Sequence, residues 1–170
     1  MLKKILHLST TKWYWLGFLF LGLSLEAAGL FYQYVQDYMP CVLCIHVRVW
    51  VLGIISVSLL ALIVYRYWTG LLIMQLLMTG LSAGLLERSY QLLGTERGFL
   101  SGGCSMESGL PAWFALDEWL PSVFNVWEPC GYTPELLFGV TMAEALIVLS
   151  FMLLIVSVVA VLNLVVNRFN

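Results

Sequence analysis

The sequence predicts an all-α membrane protein, a four-helix transmembrane bundle with one long outer loop. Two observations carry this. Of the 170 residues, 61% are hydrophobic and only 11% are charged, against roughly 45–50% apolar and about 25% charged in a soluble domain. Water is therefore the wrong solvent for much of the surface. The apolar residues also gather into four windows, at about 13–31, 45–64, 69–86 and 145–166, each close to the roughly 20 residues that cross a hydrocarbon core. Backbone groups in lipid must be satisfied within their own segment, so each window reads as a helix. The net charge of −2 and the lack of a basic run give no footing for nucleic acid. The length suits a single domain over residues 1–170.

Each element has its own local signals. The first window is longer than the 7–15-residue core of a signal peptide, and Lys12 stands directly against it, which reads as a retained anchor. Trp13, Trp15, Tyr65, Tyr67 and Trp68 flank span ends, as interfacial anchors do. Pro40, just before the second span, suits the first turn of a helix. Thr141-x-x-Glu144 reads as a capping box opening the fourth helix. Four spans put both termini on one side. Lys3, Lys4, Lys12, Arg66 and Arg168 fall on that side. Arg48, Arg88 and Arg97 lie opposite, among Asp37, Glu87, Glu96, Glu107, Asp117, Glu118, Glu128 and Glu135. Positive residues gather on the cytoplasmic side, so the termini are expected there. The outer loops then cover about 32–44 and 87–144. The second carries Gly98, Gly102 and Gly103, which loosen the backbone. Its stretch from Pro111 to Pro121 mixes aromatics with acids. It reads either as a short amphipathic helix lying in the interface or as an ordinary ordered loop.

The four cysteines, Cys41, Cys44, Cys104 and Cys130, all fall on the side that charge and hydropathy make the outer one. Disulfides persist outside the cytoplasm, so the two lines agree. Of the three possible pairings, the spacing favours Cys41–Cys44 and Cys104–Cys130. A CxxC pair at a helix N-terminus has exposed N–H groups and the helix dipole to favour a thiolate. Arg48 lies four residues after Cys44, on the same helical face, and is a permanent cation at the membrane boundary able to stabilise that thiolate or an anionic partner. The competing readings are a structural disulfide, a structural staple for Cys104 and Cys130, or half a zinc site. Zinc wants four ligands, and His46 points more than half a turn away from Cys44, so no metal is expected. His46 reads as an interfacial packing residue.

Pro40-Cys-Val-Leu-Cys44, Arg48, four spans, Cys104 and Cys130 in the second outer loop, and the Trp119-Leu-Pro121 stretch after Cys104 together resemble the DsbB family of bacterial inner-membrane disulfide-generating enzymes. Glu26, just after Leu25, also resembles a family position, although an acid buried for structural reasons is the preferred reading. The resemblance implies an enzyme that reoxidises a DsbA-like periplasmic thioredoxin-fold protein and passes the electrons to a membrane quinone, ubiquinone or menaquinone. It implies that the partner attacks the Cys104–Cys130 disulfide at Cys104, that Cys41 then meets Cys104, and that Cys44 donates to quinone beside Arg48. Some members of the family carry an acid before the arginine and a histidine after the third span. Here those positions hold Val47 and Gln91. Gln91 can hydrogen-bond a quinone carbonyl but cannot carry its proton; Arg88 could compensate, although an interfacial charge at a helix end is the preferred reading of it. The alternatives are a DsbI-like oxidase, a reductase of the vitamin K epoxide reductase type, whose cysteine order is the reverse of this one, and a tetraspan scaffold with structural outer disulfides.

Overall fold

A computed structural model describes residues 11–100, 108–111, 114–128, 133–135 and 139–169, the side chains of 167–169 excepted. Cys104 and Cys130 lie outside the described residues, as do Lys3 and Lys4. Four long helices, α1 (Lys12–Val35), α2 (Val42–Val64), α3 (Trp68–Glu96) and α6 (Met142–Phe169), are joined on the outer side of α3 and α6 by a segment carrying two single-turn helices, α4 (Leu116–Trp119) and α5 (Pro121–Phe124). All four long helices are long and apolar enough to span a membrane. No strand occurs among the described residues; two isolated bridges, Cys41 with Glu128 and Glu135 with Thr141, tie the outer segment down.

The helices pack in series, α1 on α2, α2 on α3 and α3 on α6. Helices in lipid gain little from apolar burial against one another and hold together through close contact of small residues and interhelical hydrogen bonds. Both devices occur here. A Cβ on Gly84 would lie 2.5 Å from the Trp50 ring, so only glycine admits that indole between α2 and α3. Along the α3–α6 seam Ser82, Ser89, Ser150 and Ser157 are fully buried. Ser82 and Ser157 hydroxyls meet at 3.4 Å, and the buried Gln75 amide donates to the Tyr14 hydroxyl of α1 at 2.7 Å. The opposite faces are apolar and bare: Phe20 and Ile63 are each 74% exposed. A soluble monomer does not carry apolar patches on that scale, whereas lipid covers them. The all-α four-helix membrane bundle expected from the sequence is the fold observed.

The ends of the helices set the outer surface. Thr141 opens α6 as the capping box foresees: its backbone N–H donates to Glu144 Oε2 at 3.2 Å, and the Glu144 N–H donates to Thr141 Oγ1 at 3.4 Å. Glu144 also pairs with Arg97 at the end of α3, and Glu96 accepts from Thr133 at 2.7 Å and from Thr141 at 3.3 Å. Of the stretch from Pro111 to Pro121, read either as an amphipathic helix or as an ordered loop, the described residues form the single turn α4; α5 begins at its last residue, after a break at Leu120, whose ψ of 63° is not helical. Trp119 and Leu120 stand more than half exposed at that break.

Candidate active site

The cysteine pair occupies the first turn of α2. Cys41 is the N-cap, extended at φ −84° and ψ 166°, and its sulfur accepts from the Cys44 N–H at 3.3 Å. The first N–H groups of a helix lack backbone partners, so the Cys41 sulfur takes the place of a capping oxygen. The Sγ atoms of the two thiols are 2.6 Å apart. The hydrogen bond from the Cys44 thiol holds Cys41 below the ordinary thiol range, outweighing the desolvation of its burial; backbone N–H groups add to the effect. The sequence places both sulfurs near the helix dipole. The structure separates their surroundings: Cys41 is 3% exposed and faces the backbone N–H, while Cys44 lines a cavity.

That cavity, of about 270 Å³, is walled by α1 (Leu25, Glu26, Gly29, Tyr32), by α2 (Cys44, Val47, Arg48) and by α6 (Met142, Leu146, Leu149). α1 and α6 make little contact with each other, and the cavity fills the gap between them. Its wall is mainly apolar, with Arg48, Glu26 and Glu128 among the polar groups.

Arg48 is buried, and its guanidinium ties α2 to two other elements. Nη1 donates to Gln33 Oε1 at 2.5 Å and to the Val123 carbonyl of α5 at 3.1 Å; Nη2 donates to the Gly29 carbonyl at 2.8 Å. Gly29 lets the guanidinium come close, since a Cβ there would stand 3.2 Å from Arg48 Nε and press it aside by a few tenths of an ångström. Gln33 in turn donates to the Ser122 carbonyl at 2.9 Å. Three of the five guanidinium N–H donors are used in these bonds, so Arg48 is a held cation that lines the cavity with Cys44 and acts on it through its field.

Glu26, Gly29 and Gln33 recur three and four residues apart, so they form one face of α1, the face turned to Arg48 and the cavity. Glu26 Oε1 is buried with no hydrogen-bond partner among the described residues. From the sequence Glu26 reads as a structural acid; the signal for the shared face was a polar stripe, Glu26, Gly29 and Gln33, inside an otherwise apolar span. Gln91 and Arg88 are placed elsewhere. Arg88 donates to Gln91 Oε1 at 3.0 Å, Gln91 donates to Glu87 at 3.2 Å, and none of the three lines the cavity. The outer segment reaches the motif from the other direction. The Trp127 N–H donates to the Pro40 carbonyl at 3.2 Å and Glu128 bridges Cys41, two residues before Cys130 in the sequence.

A dithiol at the rim of a lipid-facing bundle, backed by a fixed cation and an apolar cavity, defines a class: membrane thiol–disulfide oxidoreductases. The comparisons with known proteins narrow it. The family model for disulfide bond formation protein DsbB matches residues 11–160. Disulfide bond formation protein B of Shewanella denitrificans is 33% identical over 147 residues, covering 84% of this chain and 82% of the relative. Disulfide bond formation protein B 2 of Pseudomonas aeruginosa is 34% identical over 124 residues, 72% of this chain and 73% of the relative. Disulfide bond formation protein B of Aeromonas salmonicida is 31% identical over 153 residues, 86% of each chain. The chain belongs to the DsbB family. It is a multi-pass membrane protein of disulfide bond formation, a disulfide-generating oxidoreductase.

Proposed function

We propose that this protein sits in the bacterial inner membrane with its termini cytoplasmic and its cysteines periplasmic, reoxidises a DsbA-like thioredoxin-fold protein, and passes the electrons to membrane ubiquinone or menaquinone. The observation that carries this reading is the cavity shared by Cys44 and Arg48. An apolar wall with a few polar groups suits a quinone head group, and the gap between α1 and α6 suits the exit of an isoprenoid tail into lipid. Arg48, Glu26 and Cys44 would hold the head group. A quinone bound there supplies the acceptor for two electrons and two protons.

The chain's own residues do the rest. The reduced partner's thiolate attacks the Cys104–Cys130 disulfide at Cys104 and releases Cys130; the partner's second thiolate then breaks the mixed disulfide, leaving the partner oxidised and the loop pair reduced. Cys104 attacks Cys41, the Cys41–Cys44 bond breaks, and Cys44 leaves as a thiolate next to Arg48. Cys130 then attacks Cys104, restoring the loop disulfide and freeing Cys41. Two electrons and two protons have moved from the partner to the Cys41–Cys44 pair. In that last exchange the Cys44 backbone N–H, which caps the Cys41 sulfur at 3.3 Å, helps Cys41 to depart, since a better stabilised thiolate leaves faster. The partner half is tested by trapping. A thioredoxin-fold partner stripped of its second active-site cysteine should form a stable mixed disulfide, mapped by mass spectrometry to Cys104. A mixed disulfide on Cys41, or none, would contradict the order of attack.

A further inference from the structure

Arg48 lines the cavity with Cys44, yet the groups that hold it among the described residues are all neutral. Its hydrogen bonds run to the Gln33 amide oxygen and to the Gly29 and Val123 carbonyls. A buried arginine is ordinarily paired with an acid. Here no carboxylate lies within ion-pair distance of the guanidinium among the described residues. Glu26 shares the helical face of Gly29 and Gln33, but its buried Oε1 has no hydrogen-bond partner there.

Gln33 is the one side chain among these acceptors, and both ends of its amide are used. It is buried in the last turn of α1. A guanidinium only donates and a carbonyl only accepts, so the amide has one orientation. Oε1 faces Arg48 Nη1 at 2.5 Å, and Nε2 faces the Ser122 carbonyl at 2.9 Å. The Tyr34 hydroxyl donates to that same carbonyl at 2.7 Å. Gln33 therefore joins α1, Arg48 and α5 at one point. A glutamate has the same length and would keep, even strengthen, the bond to Arg48. It would also turn an acceptor toward the Ser122 carbonyl and set an anion against the guanidinium.

We infer that Gln33 is a positioning residue that fixes Arg48 in the cavity wall without cancelling its charge, leaving that charge to act on Cys44. The inference rests on the reading that Arg48 stabilises Cys44 as a thiolate. It separates the hold on the arginine, which glutamate keeps, from the neutrality of the holder, which glutamate loses. A residue that merely braced the bundle would give the opposite order: methionine, which loses both hydrogen bonds, would do more harm than glutamate, which keeps one.

The test uses the full-length chain with Cys41→Ser, Cys104→Ser and Cys130→Ser, so that Cys44 is the remaining cysteine of the four. Serine keeps a capping group at the start of α2. The rate of Cys44 alkylation by iodoacetamide is read in detergent at neutral pH, where the thiolate is the reacting form. Hydrogen exchange at residues 122–124 of α5 is followed beside it. Arg48→Met calibrates the readout and should slow alkylation about tenfold, the effect of losing an opposite charge nearby. Gln33→Glu should slow it by about as much. Gln33→Met should slow it no more than about threefold, the scale of one modest hydrogen bond, since the Gly29 and Val123 carbonyls still hold an uncancelled cation. Exchange at 122–124 should quicken in both Gln33 variants, because both lose the donor to Ser122. Alkylation of Gln33→Glu at the parent rate would overturn the inference. So would slowing in Gln33→Met as great as in Arg48→Met, an outcome that stands even if the glutamate variant fails to fold. A parent rate in Arg48→Met would instead overturn the reading of Arg48 beneath it.

Discussion

At the scale of single residues, Cys41 and Cys44 share one helical turn but not one environment. Cys41 caps α2 and takes hydrogen bonds from the Cys44 thiol and N–H; Cys44 opens on the cavity with Arg48. In the reduced pair Cys41 is the sulfur eased toward thiolate, and the largest cause is the Cys44 thiol. A lowered pKa means that the thiolate persists to more acidic pH. Alkylation of Cys41 in the reduced protein should therefore inflect below the free-thiol value of about 8.5. Cys44→Ala removes the main cause and should move the inflection to higher pH. Identical profiles in the two proteins would remove this account of Cys41. The spacing of the motif made both cysteines and Arg48 legible in the sequence. Which sulfur caps the helix was not, because a CxxC at a helix start is compatible with either.

At the scale of elements, Arg48 does more than its charge suggests. Its guanidinium fastens α1 through Gly29 and Gln33 and fastens α5 through Val123. From the sequence Arg48 reads as a cation serving a thiolate, since no local pattern announces partners 15 and 75 residues away. Arg48→Met would strand the Gln33 and Val123 acceptors in a buried place, at a cost of about 2–3 kcal/mol. The expected result is a lower thermal unfolding midpoint in detergent, with faster hydrogen exchange at residues 121–124; an unchanged midpoint would confine Arg48 to chemistry. The helix ends follow a similar pattern of legibility. The capping box gave the start of α6 because its two side chains are local. The end of α3 was hidden: apolar character stops near Leu86, but the helix runs on to Glu96, supported by Glu87, Arg88 and Gln91 bonding one another at three- and four-residue spacing. Hydropathy reports where lipid stops, not where a helix does. Gln91, expected near a quinone, is hydrogen-bonded to Arg88 and Glu87 in that ladder.

At the scale of the whole molecule, an apolar outer surface, a serial four-helix bundle and a tied-down outer segment place the cysteine motif where a membrane meets water. The fold class was legible because four apolar windows leave few other arrangements. The cavity was not, since it arises from a gap between α1 and α6, the first and last spans, and a gap has no sequence signature. In the relay proposed above, it is where electrons would pass from a protein thiol to a lipid-soluble acceptor, which regenerating a strong disulfide oxidant requires. The most direct measurement of that claim is quinone absorbance in purified, lipid-reconstituted protein supplied with a reduced thioredoxin-fold partner. Quinone should be reduced by the unaltered protein and not by Cys44→Ala; undiminished reduction in Cys44→Ala, or none in the unaltered protein with a competent partner, would contradict the account.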